Sequence, residues 1–234
     1  MYISPPMNPT TSPAAMASRF RKVLIPCEEA QLGGDLTVPY GAQGIVVFAH
    51  GSGSSRRSSR NRFVAEQINV LGLGTLLFDL LAPEETEAEA HTGELRFNVP
   101  FLTNRLRDAT RWVREEPSLD GMRMGYFGSS TGAAAALAAA TDDPAIGAIV
   151  SRGGRTDLAG TKVENVQAAT LLIAGGLDFP VIRCNEETYD CLGCEKRISI
   201  VEGASHLFEE PGKLDEVAEL AASWFKLHLD PLLC

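Results

Sequence analysis

The chain has 234 residues, a formal net charge of −9 and a pI near 5.0, an acidic balance that argues against non-specific nucleic-acid binding. Hydrophobic residues make up 44% and charged residues 22%, as in an ordinary soluble fold, and no apolar run approaches the roughly 20 residues that a bilayer-spanning helix needs. Five cysteines (Cys27, Cys184, Cys191, Cys194 and Cys234) are too few and too scattered for a disulfide framework.

Residues 1–18 are rich in Pro, Ser, Thr and Met and lack periodicity. With no basic head before an apolar core they do not read as a secretory signal, so a flexible tail and a cytoplasmic protein are expected. A single domain over residues 19–234 follows, with no internal repeat. Residues 20–26 and 30–38 read as two strands joined by a short polar turn into a hairpin. Residues 44–49 form a continuous apolar run, the pattern of a strand buried on both faces. Directly after it comes His50-Gly51-Ser52-Gly53-Ser54, a turn whose glycines let backbone N–H groups approach a bound molecule. It lacks the Gly-Lys-Ser/Thr ending of a P-loop and is not a Gly-x-Gly-x-x-Gly turn, which leaves nucleotide binding a distant second.

A helix is expected over residues 61–71, with Phe63, Val64, Ile68 and Leu71 on one side, and a strand over 74–81. Residues 82–100, acidic at Glu84, Glu85, Glu87 and Glu89, read as a long irregular loop, either solvated or a small lid. A helix over 102–115 and a strand over 122–127 follow. Then comes Gly128-Ser129-Ser130-Thr131-Gly132, a Gly-x-Ser-x-Gly turn opening an alanine-rich helix over 130–141. A strand that turns this sharply into a helix holds its middle serine clear of the sheet, at a helix N-terminus whose dipole favours negative charge. The alternative is a strand–helix turn that merely contains serines.

The rest alternates likewise: strand 145–151, strand 169–174, helix 180–191, strand 196–201 and helix 213–228. Such alternation implies right-handed crossovers and a mostly parallel sheet covered on both faces, an α/β fold. In that fold the loops after the strands gather at one edge. Of four histidines, His206 in Glu-Gly-Ala-Ser-His follows the last strand and is the candidate general base for Ser130; His228 lies on the terminal helix, His91 in the acidic loop and His50 at a strand end. Asp178 ends Gly-Gly-Leu-Asp after another strand and is the candidate carboxylate, although a helix N-cap would use the same residue. The oxyanion donors expected are the backbone N–H groups of Thr131 and Ser52.

His50-Gly51-Ser52-Gly53, Gly128-Ser129-Ser130-Thr131-Gly132, Gly176-Leu177-Asp178 and Ser205-His206 together resemble the α/β-hydrolase superfamily, and within it the compact dienelactone-hydrolase-like branch. The resemblance covers nearly everything after residue 20 and implies an α/β-hydrolase fold without a large cap domain. Dienelactone hydrolases carry a cysteine as nucleophile where this chain has Ser130. The resemblance therefore implies a serine-type esterase acting on an ester, thioester or lactone of a small acyl substrate.

Two arginine groups fall on the same edge: Arg56, Arg57, Arg60 and Arg62 after the glycine turn, and Arg152 and Arg155 after the 145–151 strand. Arg152, and with it Arg56, is the candidate clamp for an anionic group on the substrate; the alternative is pairing with neighbouring acids or exposure to water. Cys191-Leu-Gly-Cys194, with Cys184, lacks a second ligand pair and follows a helix, so structural or incidental cysteines are expected, with no metal or cofactor. Neither nucleic acid nor membrane is expected as a partner. Two rivals remain: a peptidase or amidase with the same triad, and a non-catalytic binding protein that kept the fold.

Overall fold

The computed structural model describes residues 18–28 and 30–230. The tail expected over 1–18 lies outside the described residues except for Ser18, and so does Cys234. The chain opens with an antiparallel pair, β1 (Ser18–Pro26) and β2 (Gln31–Pro39), and then alternates strand and helix. In order follow β3 (Gly44–Ala49), α1 (Ser59–Val70), β4 (Gly74–Phe78), α2 (Pro83–Thr92), α3 (Val99–Glu115) and β5 (Arg123–Ser129). They are succeeded by α4 (Thr131–Ala140), β6 (Ile146–Arg152), β7 (Ala169–Gly175), α5 (Phe179–Cys191), β8 (Lys196–Val201) and α6 (Lys213–Leu229).

Among the described residues, eight strands form one sheet in the order β1-β2-β4-β3-β5-β6-β7-β8. Every pairing from β4 through β8 is parallel; only β1 and β2 run against their neighbours. Both faces are buried, because alternate residues feed two separate cores. Ile45, Val47 and Ala49 of β3 join Leu102, Leu106 and Ala109 of α3 and the alanines of α4. Val46 and Phe48 of the same strand join Val64 and Ile68 of α1 and Val217, Ala221 and Phe225 of α6. Burying six large apolar side chains such as these contributes on the order of 10 kcal/mol, before the entropy of ordering the chain opposes it.

Two expectations change. β4 stops at Phe78 rather than 81, because the Leu80 N–H leaves the ladder and donates to His50 Nε2 at 3.0 Å. Residues 82–100 are not an irregular loop but α2, a short 3-10 turn (Leu95–Phe97) and the start of α3. Pro83 fits the first turn of α2, and the Glu85 carboxylate folds back to accept the Ala82 N–H at 2.7 Å. Gly93, at φ 69°, ends the helix.

Candidate active site

Ser130 is held at φ 51° and ψ −119°, in a region a residue with a Cβ enters only at a cost of about 1–3 kcal/mol. The flanking glycines show what enforces it. A Cβ on Gly128 would lie 2.4 Å from the Ala133 Cα, and one on Gly132 would lie 2.2 Å from the Ala49 carbonyl oxygen. No larger residue fits either position, so the turn between β5 and α4 is as tight as two touching backbones allow. The next strand fastens it: the Ser130 N–H donates to the Arg152 carbonyl at 3.1 Å, and the Arg155 N–H donates to the Ser130 carbonyl at 3.1 Å.

Asp178 occupies the N-cap position of α5, yet its side chain makes no cap hydrogen bond. Its Oδ2 lies 2.6 Å from His206 Nδ1 instead. The two loops are buttoned together by the Leu177 N–H on the Ala204 carbonyl and the Gly176 N–H on the Val201 carbonyl, both at 2.9 Å. Glu210 steadies the histidine loop by accepting the Ser205 N–H on both carboxylate oxygens at 3.1 Å. The Ser205 hydroxyl and backbone hold that carboxyl below its ordinary value. His206 packs against Gly153, where a Cβ would come within 3.5 Å of ring atoms Cε1 and Nδ1. Gly153 directly follows Arg152, whose carbonyl holds Ser130. One backbone segment thus adjoins both the imidazole and the serine.

On the other side of Ser130 lies the turn after β3. A Cβ on Gly51 would meet the Ser130 Cβ at 3.1 Å, so the turn presses on the serine. His50 Nε2 accepts from Leu80, which leaves Nδ1 to donate to the Gly51 carbonyl at 2.9 Å. Burial pushes its pKa below the ordinary value and keeps the ring neutral, as this pattern requires. The Ser52 N–H, expected to face a substrate, is engaged: it donates to Thr131 Oγ1 at 2.9 Å.

A cavity of about 540 Å³ opens beside Thr131, walled by residues 50–57, by Asp79, Leu80 and Leu81, and by Pro83, Thr86 and Glu89 of α2. Arg96 and Leu102 complete it. α2 is its roof. Burial favours the neutral Glu89 carboxyl, but the Arg96 side chain and the Leu95 and Arg96 N–H groups outweigh it and lower its pKa, locking α2 to the segment after it.

The arginines divide. Arg56 reaches the cavity wall, but its guanidinium is hydrogen-bonded to Asp79 and lies 3.6 Å from Asp35. Arg152 is buried over the Phe127 ring on the α1/α6 face, away from the cavity-lining set. Its Nη1 has no hydrogen-bond partner among the described residues, and burial, then Arg60, pushes its pKa down to about 10. Arg155 is paired with Asp157. Arg57, which the sequence did not single out, lines the cavity with no ion-pair partner among the described residues. Cys184 donates to the Pro180 carbonyl, Cys191 ends α5 and Cys194 lies 3.8 Å from Thr170 Oγ1.

Known proteins give the same picture of the chain's kinship. The model of the dienelactone hydrolase family matches residues 32–230. A dienelactone hydrolase of Anabaena variabilis is 50% identical and superposes with a TM-score of 0.89 over 91% of this chain and 99% of that one. An esterase of Pyrococcus furiosus, 17% identical, shares the fold at a TM-score of 0.74 over 96% of this chain and 97% of its own. A Mycobacterium tuberculosis protein named "Putative phosphoribosyl transferase" is 48% identical over 90% of this chain and 47% of its own. The chain thus spans about half the length of the curated relatives it matches.

Proposed function

The chain belongs to the dienelactone hydrolase family and is an α/β-hydrolase, and from that premise we propose that it cleaves the ester, thioester or lactone bond of a small anionic acyl substrate through Ser130, His206 and Asp178. The observation that carries this reading is the conjunction at Arg152–Gly153: the strained serine hangs from one residue and the imidazole, oriented by Asp178, packs on the next.

Asp178 accepts the Nδ1 proton of His206, which leaves Nε2 with a lone pair. Nε2 takes the Ser130 proton as Oγ attacks the carbonyl carbon, and the carbonyl electrons move onto oxygen. The tetrahedral oxyanion is met by donors at the start of α4. Collapse expels the leaving group, which takes the proton from His206, and an acyl-Ser130 ester remains. A water repeats the sequence and releases the acid.

The anionic preference rests on charge in the cavity wall. Arg56 and Arg96 are each neutralised by a carboxylate, Asp79 and Glu89, which among the described residues leaves Arg57 as the lining arginine open to a ligand. Arg57, rather than Arg152 or Arg56, is then the clamp for a carboxylate or a group of like charge. Replacing Ser130 with Ala tests the whole: turnover of a short activated ester is expected to vanish while the far-UV circular dichroism stays that of the parent. Undiminished turnover by the variant contradicts the assignment.

A further inference from the structure

The Ser52 amide has one proton, and that proton is committed to Thr131 Oγ1. We propose that the Thr131 hydroxyl is itself an oxyanion donor, polarised by the Ser52 amide rather than competing with it. This rests on the hydrolase reading above and specifies which groups stabilise its transition state.

Four observations lead there. Thr131 directly follows Ser130, lines the cavity, and stands in the first turn of α4, where a backbone N–H has no partner four residues back. Its side chain is almost fully buried and β-branched, so χ1 has little freedom to swing off the Ser52 amide. A hydroxyl that accepts one hydrogen bond still has its own proton to give, and accepting makes it a better donor. Last, the peptide between Gly51 and Ser52 is fixed at both ends. Its carbonyl accepts from His50 Nδ1 at 2.9 Å and from the Ser54 N–H at 3.2 Å; its N–H points at Thr131.

The bonds run in one direction: Leu80 N–H to His50, His50 to the Gly51 carbonyl, Ser52 N–H to the Thr131 oxygen. The Thr131 O–H is the free end of that chain, next to the nucleophile. In the transition state the oxyanion receives this proton's hydrogen bond together with that of the Thr131 backbone N–H. His50 and Ser52 are positioning residues that act on the oxyanion through the Thr131 hydroxyl.

The experiment compares Thr131→Val and Thr131→Ser with the parent on an activated ester. It also measures inhibition by a small boronic acid, whose tetrahedral anionic adduct on Ser130 places a boron-bound oxygen where the oxyanion would form. Thr131→Val is expected to lose about 10²- to 10³-fold in kcat, the usual cost of one oxyanion donor, with KM within a few-fold of the parent. Boronate affinity is expected to fall in parallel, and Thr131→Ser to stay within about threefold on both. A Thr131→Val enzyme as fast as or faster than the parent overturns the proposal, because it means that the freed Ser52 amide binds the oxyanion directly. Unchanged boronate affinity, or a serine variant as poor as the valine one, overturns it too. Thr131→Ala supplies the same comparison should the valine variant fold poorly. Labelling of parental Ser130 by a fluorophosphonate is read separately: if it fails, the hydrolase reading fails and this inference with it; if it succeeds while Thr131→Val is unimpaired, only this inference falls.

Discussion

His206 and Asp178 meet at 2.6 Å through Nδ1 and Oδ2, from two loops that share backbone hydrogen bonds. That contact decides which imidazole nitrogen is left to act. An aspartate there can only accept, so Nδ1 carries the proton and Nε2 the lone pair that the proposed mechanism uses as base. An asparagine can present its N–H₂ group instead and reverse the tautomer. Asp178→Asn is expected to lower kcat by about 10³- to 10⁴-fold while leaving the thermal midpoint within a few degrees. A loss of less than tenfold speaks against Asp178 as the orienting group.

Arg57 and Arg56 are neighbours with opposite assignments. Arg57→Gln is expected to raise KM for an ester bearing a carboxylate by about tenfold, the worth of one charge-assisted hydrogen bond of roughly 1.4 kcal/mol, and to leave a neutral ester unaffected. Arg56→Gln leaves Asp79 without its cation while Asp35 keeps Arg62 at 3.1 Å, so its expected effect is on stability, in chemical denaturation. Kinetics on paired anionic and neutral substrates separate the two. Equal losses on both substrates for Arg57→Gln remove the anionic preference.

His50 makes stability depend on pH in a definite direction. Its folded pKa lies below the ordinary 6.5, because burial disfavours the charged ring. The unfolded chain therefore takes up the proton first. Stability is full above about pH 6.5 and declines as pH falls below it, by at most about 1.4 kcal/mol per pH unit. His228, also lowered by burial, adds in the same sense. Denaturation midpoints measured from pH 7.5 to 5.5 are expected to fall, and to fall less steeply in His50→Gln. An identical slope in that variant assigns the effect elsewhere.

Gly132→Ala tests the packing that creates the serine turn. The new methyl falls 2.2 Å from the Ala49 carbonyl oxygen and 2.6 Å from that of His50, both backbone atoms of the central sheet and its turn. Nothing there yields by rotating a side chain. A destabilisation of about 3 kcal/mol or more is expected, at the severe end for a single methyl. A variant of parental stability shows that α4 shifts freely, which would release the constraint on Ser130.

Much of the fold was legible in the sequence because it is written in burial. Strands covered on both faces appear as unbroken apolar runs, as at 44–49, and the serine turn announces itself through glycines that tolerate no substitute. α2 has no apolar stripe to mark it as a helix; its signals are Pro83, the Glu85 back-bond and the terminal Gly93 instead. Ion pairing hid in the same way. Arg56 finds Asp79 and Asp35 only once β2, β4 and the turn after β3 come together, and no local pattern states that. The direction of Arg152 is written in the alternation of its strand. Ala148 and Val150 face the α1/α6 core, and two residues further along the same strand Arg152 faces it too.

The most direct test is covalent. Incubating the parent protein with a fluorophosphonate and mapping the adduct by mass spectrometry reads out whether Ser130 is activated as a nucleophile. One adduct is expected, on the peptide carrying Ser130, slowed sharply in Asp178→Asn and absent in Ser130→Ala. A parent that takes up no label, or a Ser130→Ala variant that labels as fast, contradicts a serine alkoxide at the start of α4.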